Sequence, residues 1–159
     1  MKALDLRGLN PAPVTPFTRD GAVDYAAIQR LGSWLASVDG VKSLTVLGHA
    51  GEGTFLERDE QFKVIEAFRK AVDDKLPIIA GITLEGTQVA AEEAKRAVAA
   101  GASAGLVYPS HGWLRFGYQK GAPQDKYKAI YEASGLPLIL FQYPDATKCT
   151  YAVSYTHLT

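Results

Sequence analysis

The chain is short of nearly everything that would mark it for a specialised environment. It has one cysteine, Cys149, in 159 residues. A lone thiol makes no internal disulfide and no cysteine-built zinc cluster, which fits a reducing compartment and gives the expectation of a cytoplasmic protein. Neither sign of charge is in excess: 17 Lys and Arg stand against 17 Asp and Glu. Nucleic acids and anionic membranes both require a concentrated basic surface, so neither is an expected partner. No apolar run approaches the roughly 20 residues that span a bilayer. The opening segment to Pro13 carries basic residues without an apolar stretch behind them, so no secretory signal is expected. Repeats and low-complexity tracts are missing too, and no metal or cofactor is expected.

What is present is the material of one ordinary domain. Hydrophobic residues make up 47% of the chain, enough for a real core. Short apolar runs alternate with longer amphipathic stretches. The runs are Leu9 to Val14, Ser43 to Leu47, Pro77 to Ile82, Ala104 to Tyr108 and Leu136 to Phe141. They recur roughly every 30 residues, the length of a βα unit. Apolar on both faces, they read as parallel strands covered by helices.

The stretches between them have helical spacing. Tyr25, Ile28, Leu31, Leu35 and Val38 form one stripe behind Asp24, a suitable N-cap. Phe62, Ile65, Phe68 and Val72 form a second, and Ala90, Ala94, Ala97 and Val98 a third that stops at Gly101. A fourth helix is expected from about Pro123 to Ala133. Unbroken βαβα alternation means α/β with a parallel sheet. It leaves an open doubly wound sheet and part of a closed barrel equally available. Gly48, Gly51 and Gly53 follow a strand, as a dinucleotide loop would, but their spacing is not G-x-G-x-x-G.

Several segments, taken in order, resemble one family. They are Pro11-Ala12-Pro13-Val14-Thr15-Pro16-Phe17 with Asp20-Gly21 and Val23-Asp24, then Val46-Leu47-Gly48-His49-Ala50-Gly51-Glu52-Gly53 with Leu56 and Asp59-Glu60. Pro77-Ile78-Ile79-Ala80-Gly81, Gly101-Ala102, Val107-Tyr108-Pro109 and Pro137 to Pro144 complete the set. Over residues 8 to 148 the chain is similar to the dihydrodipicolinate synthase/N-acetylneuraminate lyase family, the class I pyruvate-type aldolases. That resemblance implies a (β/α)8 TIM barrel, of which this chain would hold the N-terminal five βα units. It also places the motifs at the C-terminal strand ends, where barrel active sites lie.

The resemblance further implies the chemistry. A lysine on strand six forms an imine with a 2-oxo acid, usually pyruvate, and the imine serves as an electron sink for making or breaking a bond beside it. The chain ends before that strand and is expected to be inactive alone. Lys148 lies in the loop after strand five, where a solvated lysine is the ordinary reading. In the glycine loop the amides near His49, Ala50 and Gly51 would hold the substrate carboxylate; a tight turn without a ligand is the other reading. Glu52 would hold that loop by hydrogen bonds.

His49 and Ala50 stand where the family has a hydroxyl pair, and Phe141 where it has a catalytic tyrosine. Tyr143, two residues on, keeps the strand parity and supplies either a substitute hydroxyl or a packed aromatic. His111 stands near a second family tyrosine, either exchanging protons or idle in a loop. The candidate catalytic residues are therefore His49, His111 and Tyr143. Those for substrate are His49, Ala50, Gly51 and Arg115, the last in a stretch from Trp113 to Tyr118 that closes over substrate or meets another subunit.

These departures point away from the family's name-giving activity and toward an aldolase or dehydratase with another proton relay. A non-catalytic binding or regulatory protein and a complete small open-sheet protein are the alternatives. The expected partners are a small-molecule 2-oxo acid and, for the full-length protein, copies of itself. Residues 1–152 read as the partial barrel and 153–159 as a non-native tail, because Val153 to Leu158 is also the translation of a transposon end used in sequencing libraries.

Overall fold

Asp24 begins the first helix as its side chain allows: Oδ1 accepts the Ala27 amide at 2.8 Å, and helix α1 runs Tyr25–Ser37. In the computed structural model, which describes residues 4–143, β1 (Leu44–Val46) follows. A single 3-10 turn, Gly53–Phe55, then leads into α2 (Arg58–Val72). Next come β2 (Ile78–Ile82), α3 (Thr87–Ala99), β3 (Ala104–Val107), α4 (His111–Phe116), α5 (Ala122–Ser134) and β4 (Leu138–Leu140).

The four strands are parallel and adjacent in chain order, β1-β2-β3-β4. The helices advance the same way, with α1 on α2, α2 on α3 and α3 on α5. A doubly wound sheet must reverse its strand order somewhere to place helices on both faces. Here neither row reverses, which is how consecutive units of a (β/α)8 barrel are arranged.

The core lies between this helical row and the sheet. Ile28, Leu44, Val46, Val64, Ile78, Ile82, Ala90, Ala94 and Ile130 have no exposed surface. Burying each valine, leucine or isoleucine among them contributes about 1.5–3 kcal/mol. All five residues of β2 are buried, as its unbroken apolar run requires.

The first apolar run differs from the other four. It is extended and lies parallel to the chain at β1, with Leu9 bridging Val41, but it is not a regular strand. Lys42 and Thr45 donate to the carbonyls of Leu9 and Pro11 at 2.8 and 2.9 Å. Leu9 returns its N–H to the Gly40 carbonyl at 3.1 Å, but Pro11 and Pro13 have none to return, so the ladder is not continued regularly. The short helix α4 arises in the stretch read from sequence as a loop. Residues 144–159, with Lys148, Cys149 and the expected tail, lie outside the described residues.

Candidate active site

At the end of β1 the chain turns sharply. Leu47 has φ 57°, a left-handed conformation unusual for a side-chain-bearing residue. Its carbonyl is approached so closely that a Cβ at Gly53 or Gly81 would lie 2.2 Å from the oxygen. Only glycine permits that approach, so two elements distant in sequence fix the turn. Buried side chains complete the loop. The Thr15 hydroxyl donates to the Gly51 carbonyl at 2.8 Å, and the Gln61 amide to the Gly53 carbonyl at 2.7 Å.

This turn presents His49 to a cluster drawn from three strand ends. Its ring lies 4.3 Å from Tyr108, 5.5 Å from Phe141 and 5.4 Å from Tyr143, centroid to centroid. Tyr108 is buried, and its hydroxyl accepts the His49 amide at 3.3 Å. Burial raises the Tyr108 pKa, so the phenol stays neutral. Gly48 leaves the space that hydroxyl occupies, since a Cβ there would come within 2.8 Å of it.

Tyr143 lies between two imidazoles. Its hydroxyl is 2.9 Å from His49 Nε2 and 3.4 Å from His111 Nε2. His111 Nδ1 in turn lies 3.1 Å from Glu85 Oε1. A carboxylate only accepts, so His111 carries its proton on Nδ1. Burial, and then the neighbouring His111, lower the His49 pKa, keeping His49 a neutral acceptor near pH 7. The contacts run in the order Glu85 carboxylate, His111, Tyr143 hydroxyl, His49, so the phenol proton has an imidazole nitrogen within reach on either side.

Comparison with known proteins matches this architecture to one family. Residues 5–157 fit the dihydrodipicolinate synthetase family. The chain belongs to that family. It is 36% identical over 150 residues to the 4-hydroxy-tetrahydrodipicolinate synthase of Haloarcula marismortui, covering 92% of this chain and 46% of the relative. It is 38% identical over 144 residues to the same enzyme of Synechococcus sp. strain WH7803, covering 87% and 45%. The dihydrodipicolinate synthase of Bacillus anthracis superposes with a TM-score of 0.85 at 27% identity, over 97% of this chain and 51% of that one. The pyruvate complex of the Acinetobacter baumannii enzyme gives 0.80 at 34% identity, over 92% and 48%. The chain thus spans about half the length of the curated relatives it matches.

Within this dihydrodipicolinate synthetase-family frame, His49, His111 and Tyr143 meet. Ala50 and Gly51 lie in the turn below them, Ala50 exposed and Gly51 buried. The Gly51 amide is used by the Gly48 carbonyl at 3.1 Å and the His49 amide by Tyr108, which leaves the Ala50 amide without an acceptor among the described residues. Glu52 points outward and makes no side-chain hydrogen bond among the described residues; Thr15 and Gln61 perform the task expected of it. Arg115 is exposed on α4, its guanidinium 5.9 Å from the ring of Phe116, rather than in the His49 cluster. Half-buried Trp113 packs 5.7 Å from Tyr118.

Sequence reasoning missed Tyr108 and Glu85. Tyr108 is the residue just past β3, and continued period-two alternation turns it opposite to Val107. Glu85 had no signal, since a carboxylate in a loop before a helix is common. Among the described residues no group of three or more His, Cys, Asp or Glu is placed to hold a metal. None of their helices is long and apolar enough to cross a membrane.

Proposed function

We propose that the whole protein is a Schiff-base lyase, an aldolase or dehydratase acting on pyruvate or a related 2-oxo acid, whose protons move through an imidazole–phenol relay. Family membership supports the substrate class, and one relative carries pyruvate in its crystal structure. The imine lysine is the one the resemblance assigns to strand six. This chain supplies the Ala50 amide to the carboxylate and the relay to the reacting carbon. The observation that carries the relay is the Tyr143 hydroxyl between His49 and His111, at 2.9 and 3.4 Å. Tyr143 then replaces the phenol absent at Phe141, and His49 replaces a hydroxyl as the proton acceptor.

The test uses the full-length gene product. Borohydride with pyruvate should leave a stable pyruvyl adduct on one lysine, detected by mass. Tyr143→Phe should still form that adduct but turn over at least about 100-fold more slowly, the low end of general acid–base contributions. Unchanged turnover removes Tyr143 from the chemistry, and failure of the parent to form an adduct removes the Schiff-base reading. The 159-residue chain by itself should form no adduct.

A further inference from the structure

The segment that carries Glu85 is held by two buried ions from different helices. Glu93 on α3 is 5% exposed. It accepts the amides of Thr83 and Leu84 at 2.9 and 3.0 Å, and the Thr83 hydroxyl at 3.3 Å. Lys126 on α5 has no exposed surface. Its ammonium donates to the carbonyls of Leu84 and Glu85 at 2.9 and 3.1 Å, and to Ser110 Oγ at 3.0 Å. Those three bonds use all three of its protons. The backbone of Leu84 is therefore gripped from both sides, its N–H by a carboxylate and its C=O by an ammonium.

The grip extends to α4. Ser110 Oγ also donates to the Glu85 carbonyl at 2.7 Å, so Lys126, Glu85 and Ser110 form a closed triangle of hydrogen bonds. Ser110 is the residue just before α4, its hydroxyl making no capping bond to the helix, and the next residue is His111. One nitrogen thus ties together the two backbone segments that carry the Glu85 carboxylate and the His111 ring. The Trp113 ring lies 5.4 Å from the ammonium.

Stability alone is a poor reason for this arrangement. Two buried opposite charges are often no better than apolar side chains of the same volume, because both lose their water. Burial lowers the Lys126 pKa to about 8, against the opposing pull of Glu93 and Glu85. Burial likewise raises the Glu93 pKa, against its bonds to Leu84 and Thr83 and the charge of Lys126. What the pair supplies is directed hydrogen bonds of both polarities to one loop.

We propose that Lys126, acting on the same loop that Glu93 holds from the other side, is a positioning residue of the proton relay: it fixes the Glu85 carboxylate against His111 Nδ1 and so sets the tautomer of His111. This rests on the relay as the functional site, but the measurement is made on the imidazole and needs no turnover. Histidine labelled with nitrogen-15 is incorporated into the full-length protein, and long-range proton–nitrogen spectra are recorded, with His111→Asn for assignment. In the parent, the two His111 ring nitrogens should show the well-separated shifts of a single Nδ1–H tautomer. In Lys126→Met the two shifts should converge, as they should in Glu85→Gln, which removes the acceptor itself. If Lys126→Met leaves the buried Glu93 charge with no cation nearby and does not fold, Ser110→Ala and the double variant Lys126→Met/Glu93→Gln replace it, and the same convergence is expected. A folded variant lacking the Lys126 ammonium that keeps the parent tautomer overturns the proposal. Loss of the relay's role in turnover leaves this readout unchanged, so the two failures are distinguishable.

Discussion

Gly81→Ala tests whether the site is built by close backbone approach. An added Cβ would sit 2.2 Å from the Leu47 carbonyl oxygen, 2.6 Å from its carbon and 3.0 Å from the Gly48 nitrogen. Ordinary contact begins near 3.4 Å, so the oxygen must retreat by about 1 Å. It is backbone, in a residue already at φ 57°, and has no rotamer to escape into. Overpacking typically costs about 1–3 kcal/mol, and a backbone clash belongs at the upper end. At roughly 2–4 °C per kcal/mol for a chain near this size, the melting midpoint should fall by about 6–12 °C. Gly86→Ala is the control, because its added carbon would meet only the tip of Val89, at 3.2 Å, and as the N-cap of α3 it should cost about 1 kcal/mol or less. Thermal melts by circular dichroism, recorded identically for the three proteins, decide it. A Gly81→Ala protein that melts with the parent refutes the claim that strand β2 holds the turn.

The remaining expectations concern the site and the sheet edge. His49 should titrate below 6.5 in the folded protein. Its contribution to stability is then complete above about pH 6.5, and is lost as pH falls through the lowered value; a nitrogen-15 titration above 6.5 contradicts the dominance of burial. In the full-length protein, Gly51→Val should weaken pyruvate binding more than tenfold in calorimetry, since its Cβ would come within 2.9 Å of the Leu47 nitrogen. Ala50→Ser should be mild, and equal affinity in both variants makes the loop a turn and nothing more. The 159-residue chain should self-associate, since β4 has one strand neighbour among the described residues and Phe55 and Phe116 are each 83% exposed. A monodisperse monomer in light scattering refutes that.

Periodicity revealed the four long helices because each carries an apolar stripe that must face the sheet. It missed α4, whose six residues contain Gly112 and bury none of their number. It overstated the regularity of the first strand, where prolines interrupt hydrogen bonding without changing hydrophobicity. At the site, Tyr143 was legible from strand parity, and His49 and His111 from their places beside glycine and proline motifs. Glu93 and Lys126 carried a signal that was not used. Glu93 lies three residues after Ala90 and four before Ala97, and Lys126 three after Pro123 and four before Ile130. A charged residue on a buried stripe needs a partner, but the sequence cannot say that one loop, 83–85, answers both. Glu85 was illegible because its importance comes entirely from where α4 delivers His111.

The sequential strand order also bears on how the chain is made. Among the described residues each strand pairs with the one synthesised just before it. Closing successive loops of similar length carries a similar entropic cost each time, because that cost grows only slowly with length. A nascent chain can therefore add one βα unit after another as it leaves the ribosome, in keeping with N-terminal parts folding first during synthesis. The growing sector always offers its newest strand as the template for the next. The same edge that recruits the next unit during translation is the one that makes an arrested intermediate prone to capture by a neighbour.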